Sequence, residues 1–160
     1  MLKWFSIAGV TLLLDQLTKW IVVSNLMYGE RIDVLPFFQW VRFHNPGAAF
    51  SFLADAGPWK HWFFVTLAAG FSVYLVYELY RLKPEERALG WVFSLILGGA
   101  LGNLADRLNH GHVIDFIFFS YEGYSFPAFN LADSALFCGA ALWIILMIRE
   151  YRMHREAASD

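Results

Sequence analysis

Two carboxylates stand in surroundings that ought to repel them. Asp115 sits in Val113-Ile-Asp-Phe-Ile-Phe-Phe119, and Asp133 follows Phe129-Asn-Leu-Ala132; neither has a lysine or arginine three or four residues away. If the two acids meet, both cannot ionise at close range, so one pKa rises and the pair shares a proton. Such a pair holds one general base and one general acid near neutral pH. The base takes a proton from water, the water attacks a carbonyl, and the acid protonates the oxyanion and then the leaving amine. This chemistry needs no metal or cofactor. Spacing alone leaves a plainer reading open, in which Asp115 is a solvated loop acid and Asp133 an N-terminal acid interacting with a helix dipole.

Other chemistries find less support. No G-x-S-x-G is present, and the only cysteine, Cys138, lies within an apolar run where small-residue packing is its expected role. His110, His112 and Asp115 offer a possible three-ligand metal set, but no H-E-x-x-H accompanies them, and the expectation is no metal. Other polar residues fall into helical registers. Asp15 and Lys19 are i,i+4 with the acid first, the favourable order. Asn103 and Arg107 repeat at the same spacing, and Gly98 and Gly102 form a G-x-x-x-G that lets helices approach closely. Taken alone, these pairs could equally be structural ties.

The elements that must position these residues read as membrane spans. The chain is 58% hydrophobic and 16% charged over 160 residues, whereas a soluble domain averages about 45–50% and about 25%. The length allows one domain, residues 1–160. The net charge of −2, without a basic block, argues against nucleic acid as a partner. Four apolar segments reach bilayer-crossing length, at about 2–23, 61–80, 88–106 and 130–148. The expected fold is an all-α bundle of four transmembrane helices with a small β-sheet in the first outer connection. Val34 to His44 is rich in aromatic and β-branched residues, and Asn45-Pro46-Gly47 reads as a turn. Val113 to Phe119 in the second outer connection is also strand-like. The first span is expected to stay rather than be cleaved as a signal peptide, since no small-residue cleavage site follows and Asp15, Gln16 and Lys19 interrupt instead.

Lys3, the basic connection Arg81 to Arg87, and Arg149, Arg152 and Arg155 fall on one side of a four-span chain. That side is expected to be cytoplasmic, with both termini inside. A helix rises about 1.5 Å per residue, so Asp15, Lys19, Asn103, Arg107 and Asp133 all lie about 18–27 Å from the inner ends. Five polar residues from three helices thus share one layer of the outer half. Charged groups at such depth are costly and read by default as functional.

At these residues the sequence resembles the bacterial lipoprotein signal peptidases (signal peptidase II), a family of aspartic proteases. Five ordered blocks carry the likeness: Asp15-Gln-Leu-Thr-Lys19, Asn45-Pro-Gly-Ala-Ala-Phe50, Gly98-Gly-Ala-Leu-Gly-Asn-Leu-Ala-Asp-Arg107, Val113-Ile-Asp-Phe116 and Phe126-Pro-Ala-Phe-Asn-Leu-Ala-Asp133. Together they cover essentially the whole chain. The resemblance implies an integral membrane peptidase with Asp115 and Asp133 as its catalytic dyad. Asp15, Lys19, Asn45, Asn103, Arg107 and Asn130 would line or brace the site, and Gly47 would allow close backbone approach. It further implies a lipid-modified prolipoprotein substrate cut before the lipidated cysteine, and no cofactor. The expected setting is the bacterial inner membrane, with the active site toward the outer face and the chain acting as a monomer among membrane lipid. Two rival readings are an ion or proton carrier, which needs polar residues through the full thickness, and a packing subunit, which needs Asp115 and Asp133 far apart.

Overall fold

The structure is a computed structural model that describes residues 1–47, 57 and 59–157. Ala48, Ala49 and Phe50 of the second sequence block lie outside the described residues. Four long helices dominate: α1 (Leu2–Asn25), α2 (Trp59–Arg81), α3 (Arg87–His110) and α4 (Leu131–Ala157). All four are long and apolar enough to cross a membrane. Between them run β1 (Arg31–Leu35), β2 (Phe38–Asn45), β3 (Val113–Tyr121) and β4 (Tyr124–Ser125).

The central helix is α3, and glycine puts it there. A side chain on Gly98 would strike Thr11 and the Ala8 carbonyl of α1, with the added Cβ 2.6 and 2.7 Å away. One on Gly102 would meet the Asp15 carboxylate at 2.5 Å, and one on Gly99 the Ala132 carbonyl of α4 at 2.5 Å. The G-x-x-x-G pair thus faces α1, while Gly99 admits α4. We expect Gly99→Leu to cost about 1–3 kcal/mol through overpacking. A fall in the unfolding midpoint in detergent would register it; an unchanged midpoint would mean that α4 yields freely. At the end of the bundle away from the sheet, Trp4, Ala8, Leu75, Leu79, Val92, Phe93, Ile96 and Leu97 form an apolar core.

The helix bounds differ from expectation at two ends. Helix α3 continues past Arg107 to His110, where Gly111 at φ 76° terminates it and returns its N–H to the Arg107 carbonyl. Helix α4 runs beyond residue 148 to Ala157, since Arg149 to Ala157 contains no Gly or Pro to stop it. Its 27 residues span about 40 Å, more than the roughly 30 Å of a hydrocarbon core.

The sheet is also larger than anticipated. It is four-stranded and antiparallel in the order β1-β2-β3-β4, so it joins both outer connections rather than belonging to the first alone. A lone β1–β2 hairpin would leave the inner edge of β2 unpaired, and β3 satisfies it from Phe38↔Phe119 to Asn45↔Val113. This pairing places Asn45 beside the residues around Asp115.

Candidate active site

A buried charge cluster ties the helices together beneath the sheet. Lys19 Nζ lies 2.8 Å from an Asp15 oxygen and 2.9 Å from Asp106 Oδ2. Asp15, Lys19 and Asp106 are 0%, 2% and 1% exposed, so the lysine is the direct counter-charge for both acids. Gln16 Nε2 joins them, donating to Asp15 and, at 2.9 Å, to Asp106 Oδ1. Each acid then reaches out. Asp106 Oδ2 accepts the Ile114 N–H at 3.0 Å, and Asp15 Oδ1 accepts the Ala132 N–H at 2.8 Å. Ile114 immediately precedes Asp115, and Ala132 immediately precedes Asp133. The cluster therefore fixes the backbone on which both candidate acids stand. The bond to Ala132 also satisfies an N-terminal donor of α4 that has no helical partner.

Above the cluster, Asn103 and Asn130 connect it to the two acids, and Asn45 holds Asp115 from the other side. Asn103 Oδ1 accepts from Lys19 at 3.1 Å, which turns its Nδ2 toward Asp133 Oδ1 at 2.7 Å. Asn130 is fully buried, and its Nδ2 donates to Asp115 Oδ1 at 2.8 Å. Its backbone N–H and side-chain oxygen pair reciprocally with Asp133 Oδ2 and the Asp133 N–H, at 3.2 and 2.9 Å. This is a capping box at the start of α4. Asn45 donates to Asp115 Oδ2 at 3.0 Å and accepts from the Gly47 N–H at 3.1 Å. Arg107 holds the Gly47 carbonyl at 3.1 Å. One residue, Asn130, is thus bonded to both carboxylates, and the two acids belong to a single network.

The plainer readings fare differently for the two acids. Asp133 does cap a helix, but with one oxygen; the other faces Asn103. Asp115 is not a solvated loop acid, being 3% exposed. Burial first, and the neighbouring Asp133 charge second, push its pKa from 3.8 up to about 7, against the lowering effects of Asn45, Asn130 and Lys19. Among the described residues no three His, Cys, Asp or Glu side chains converge as a metal would need; the Asp115 oxygens accept from asparagines, and His110 and His112 face each other.

A cavity of about 790 Å³ opens on this network. Asn45, Gly47, Asn103, Arg107 and Asp133 supply its polar lining, while Phe64, Phe71, Phe129, Leu136 and Phe137 supply apolar walls. Asp115, 3% exposed, is bonded to Asn45 of that lining. All nine residues singled out from the sequence are in or next to this site. Two residues outside those nine belong to the network: Asp106, which stands with Asn103 and Arg107 in the third block, and Gln16, inside the first. Their signal was an acid and an amide at the same depth as Lys19.

Fold and site together define a multi-pass membrane protein in which a buried acid, Asp115, and a half-buried one, Asp133, share a network at the wall of a largely apolar cavity. The sequence profile of the Signal peptidase (SPase) II family matches residues 7–149. The lipoprotein signal peptidase of Acinetobacter baumannii is 47% identical over 144 residues, covering 90% of this chain and 82% of that one. The one from Polynucleobacter necessarius is 49% identical over 144 residues, covering 90% and 88%. A solved bacterial membrane enzyme superposes with a TM-score of 0.84 at 33% identity, over 94% of this chain and 90% of that one. The chain belongs to the signal peptidase II family and is a membrane peptidase.

Proposed function

We propose that this single domain, residues 1–160, is an aspartic endopeptidase that removes the signal peptide from diacylglyceryl-modified prolipoproteins, cutting just before the lipidated cysteine. The observation that carries this reading is Asn130, whose side chain and backbone bind Asp115 and Asp133 at once. The pair titrates as a unit, holding one proton between two carboxylates near neutral pH. The unprotonated acid takes a proton from a water held between them, and that water attacks the scissile carbonyl. The protonated acid donates to the developing oxyanion; the acid that took the water proton then gives it to the leaving amine, while its partner takes a proton back from the diol as the C–N bond breaks. Asn103 and Arg107, which line the cavity, supply donors that hold the peptide and polarise its carbonyl, while the buried Asn130 positions the two acids. Asp15 and Lys19 brace the frame, Asn45 orients Asp115, and Gly47 lets the substrate backbone come close. No metal or cofactor takes part.

The membrane setting fits that substrate. The signal helix lies among the spans, the acyl chains stay in lipid or enter the apolar cavity, and the bond to be cut reaches the outer layer. In this reading the chain resides in the bacterial inner membrane with both termini cytoplasmic. It works as a monomer, because one chain holds both acids and all their partners, and nucleic acid has no role. A proton or ion carrier is disfavoured by the apolar core at the opposite end of the bundle.

The test is purified protein in lipid with a diacylglyceryl-modified precursor, its products read by mass. Release of the signal peptide with the lipidated cysteine as the new N-terminus supports the proposal; cleavage elsewhere, or of unlipidated precursor equally well, rejects it. The rate is expected to be bell-shaped in pH. It falls on the acid side as both carboxyls protonate. It falls again as pH rises beyond about 7, when the shared proton is lost. A rate that climbs steadily through pH 9 would contradict the shared proton.

A further inference from the structure

Three histidines gather at the edge of this site without joining it. His44 in β2 lies opposite Ile114 in β3. His112 stands two residues before Ile114, which makes it the diagonal cross-strand neighbour of His44. Their rings stack with centroids 3.8 Å apart and 25° between planes. Tyr28, from the α1–β1 connection, packs on His44 at 4.3 Å, and His110 at the end of α3 lies 6.0 Å from His112. One residue further, Asn45 lies opposite Val113 and reaches diagonally to Asp115. Successive strand residues point to opposite faces. Two diagonal pairs therefore sit back to back on the same two strand ends, His44–His112 on one face and Asn45–Asp115 on the other.

Neutral imidazoles stack; two imidazoliums at this separation repel. The surroundings favour the neutral forms. Burial most of all, then His112, Arg42 of β2 and His110, lower the His44 pKa below 6.5. Burial and His110 lower that of His112, with Arg42 adding; its backbone bond with His110 and the Asp106 charge of α3 act the other way. The charged group that β1 brings near, Arg31, lies over Phe43 and Phe118. Because the folded values lie below the unfolded one, the stack's stabilisation is present above pH 6.5. It is lost as pH falls through the folded values.

We propose that the His44–His112 stack is a proton-sensitive clip: neutral, it holds the ends of β2 and β3 together and Asn45 on Asp115; protonated, it parts them and weakens the site. The proposal rests on Asp115 being one of the two working acids. It is tested in lipid nanodiscs with the wild type, His44→Gln and His112→Phe, which keeps a ring but gains no proton. Amide exchange of residues 43–45 and 113–115, corrected for intrinsic rate, is followed from pH 8 to 5 alongside the acid limb of kcat. The wild type is expected to lose protection below pH 6.5, with log kcat falling more steeply than one unit per pH unit. His112→Phe is expected to stay protected throughout, and His44→Gln, which has no ring to stack, to exchange faster at every pH; both are expected to fall with unit slope, set by the acid pair alone. Equal exchange in wild type and variants, or equal slopes, overturns the clip. If no form cuts the precursor at any pH, the peptidase reading fails, while the exchange comparison still decides the clip.

Discussion

Asp115→Asn and Asp133→Asn are each expected to fold, insert, and cut lipid-modified precursor at least about a thousandfold more slowly than wild type. General acid–base groups contribute about 10²–10⁴-fold, and groups that act as a unit lose nearly everything when one is removed. Folding survives because asparagine has the shape of a protonated aspartate, and the Asp115 site already favours that form. Its folded pKa of about 7 stands above the unfolded 3.8. The stability gained from the protonated carboxyl is therefore full below pH 3.8 and is lost as pH rises through about 7. Asparagine never ionises, so Asp115→Asn is expected to equal or exceed the wild type in unfolding midpoint above pH 7. Precursor and product separate by gel mobility, and midpoints across pH follow from unfolding in detergent. A variant that unfolds would leave the loss of cutting without meaning; one that folds and still cuts would remove Asp115 from the chemistry.

Lys19→Met is expected to destabilise the fold by about 3–5 kcal/mol, the cost of leaving buried charge without its partner. The lysine lies within 2.9 Å of both Asp15 and Asp106, neither more than 1% exposed. Losing it strands two carboxylates in the bundle. The damage then spreads along defined lines, since those carboxylates hold the N–H groups of Ala132 and Ile114. Replacing Asp15 and Asp106 by Asn in the same chain removes the stranded charge and is expected to restore part of the midpoint. An unchanged midpoint for Lys19→Met would show that the cluster contributes nothing net.

Much of this arrangement was legible before any coordinates. Hydropathy marks the spans because each helix must satisfy its own backbone in lipid. A constant rise per residue then makes depth a ruler, which put Asp15, Lys19, Asn103, Arg107 and Asp133 in one layer. Partner choice was less legible. Asp15 and Lys19 declare themselves by i,i+4 spacing, but Lys19 and Asp106 meet only because Gly98 and Gly102 bring α1 against α3. Asp115 looked equally like a solvated acid, because its burial depends on β2 pairing with β3 across two separate connections. The same pairing draws both outer connections into one sheet, which strand patterns taken connection by connection do not reveal. Hydropathy falls at Arg149 while helix propensity does not, so α4 outlasts the span that hydropathy marks.

Whether Asp115 and Asp133 work as one unit is measured by a double-substitution cycle. Initial cleavage rates of lipid-modified precursor are compared for wild type, Asp115→Asn, Asp133→Asn and the double variant, all shown to be folded. The double variant is expected to be no slower than either single one, within experimental scatter, because removing one acid already disables the pair. Single losses that multiply in the double variant, or a single variant cutting within about tenfold of wild type, would contradict it.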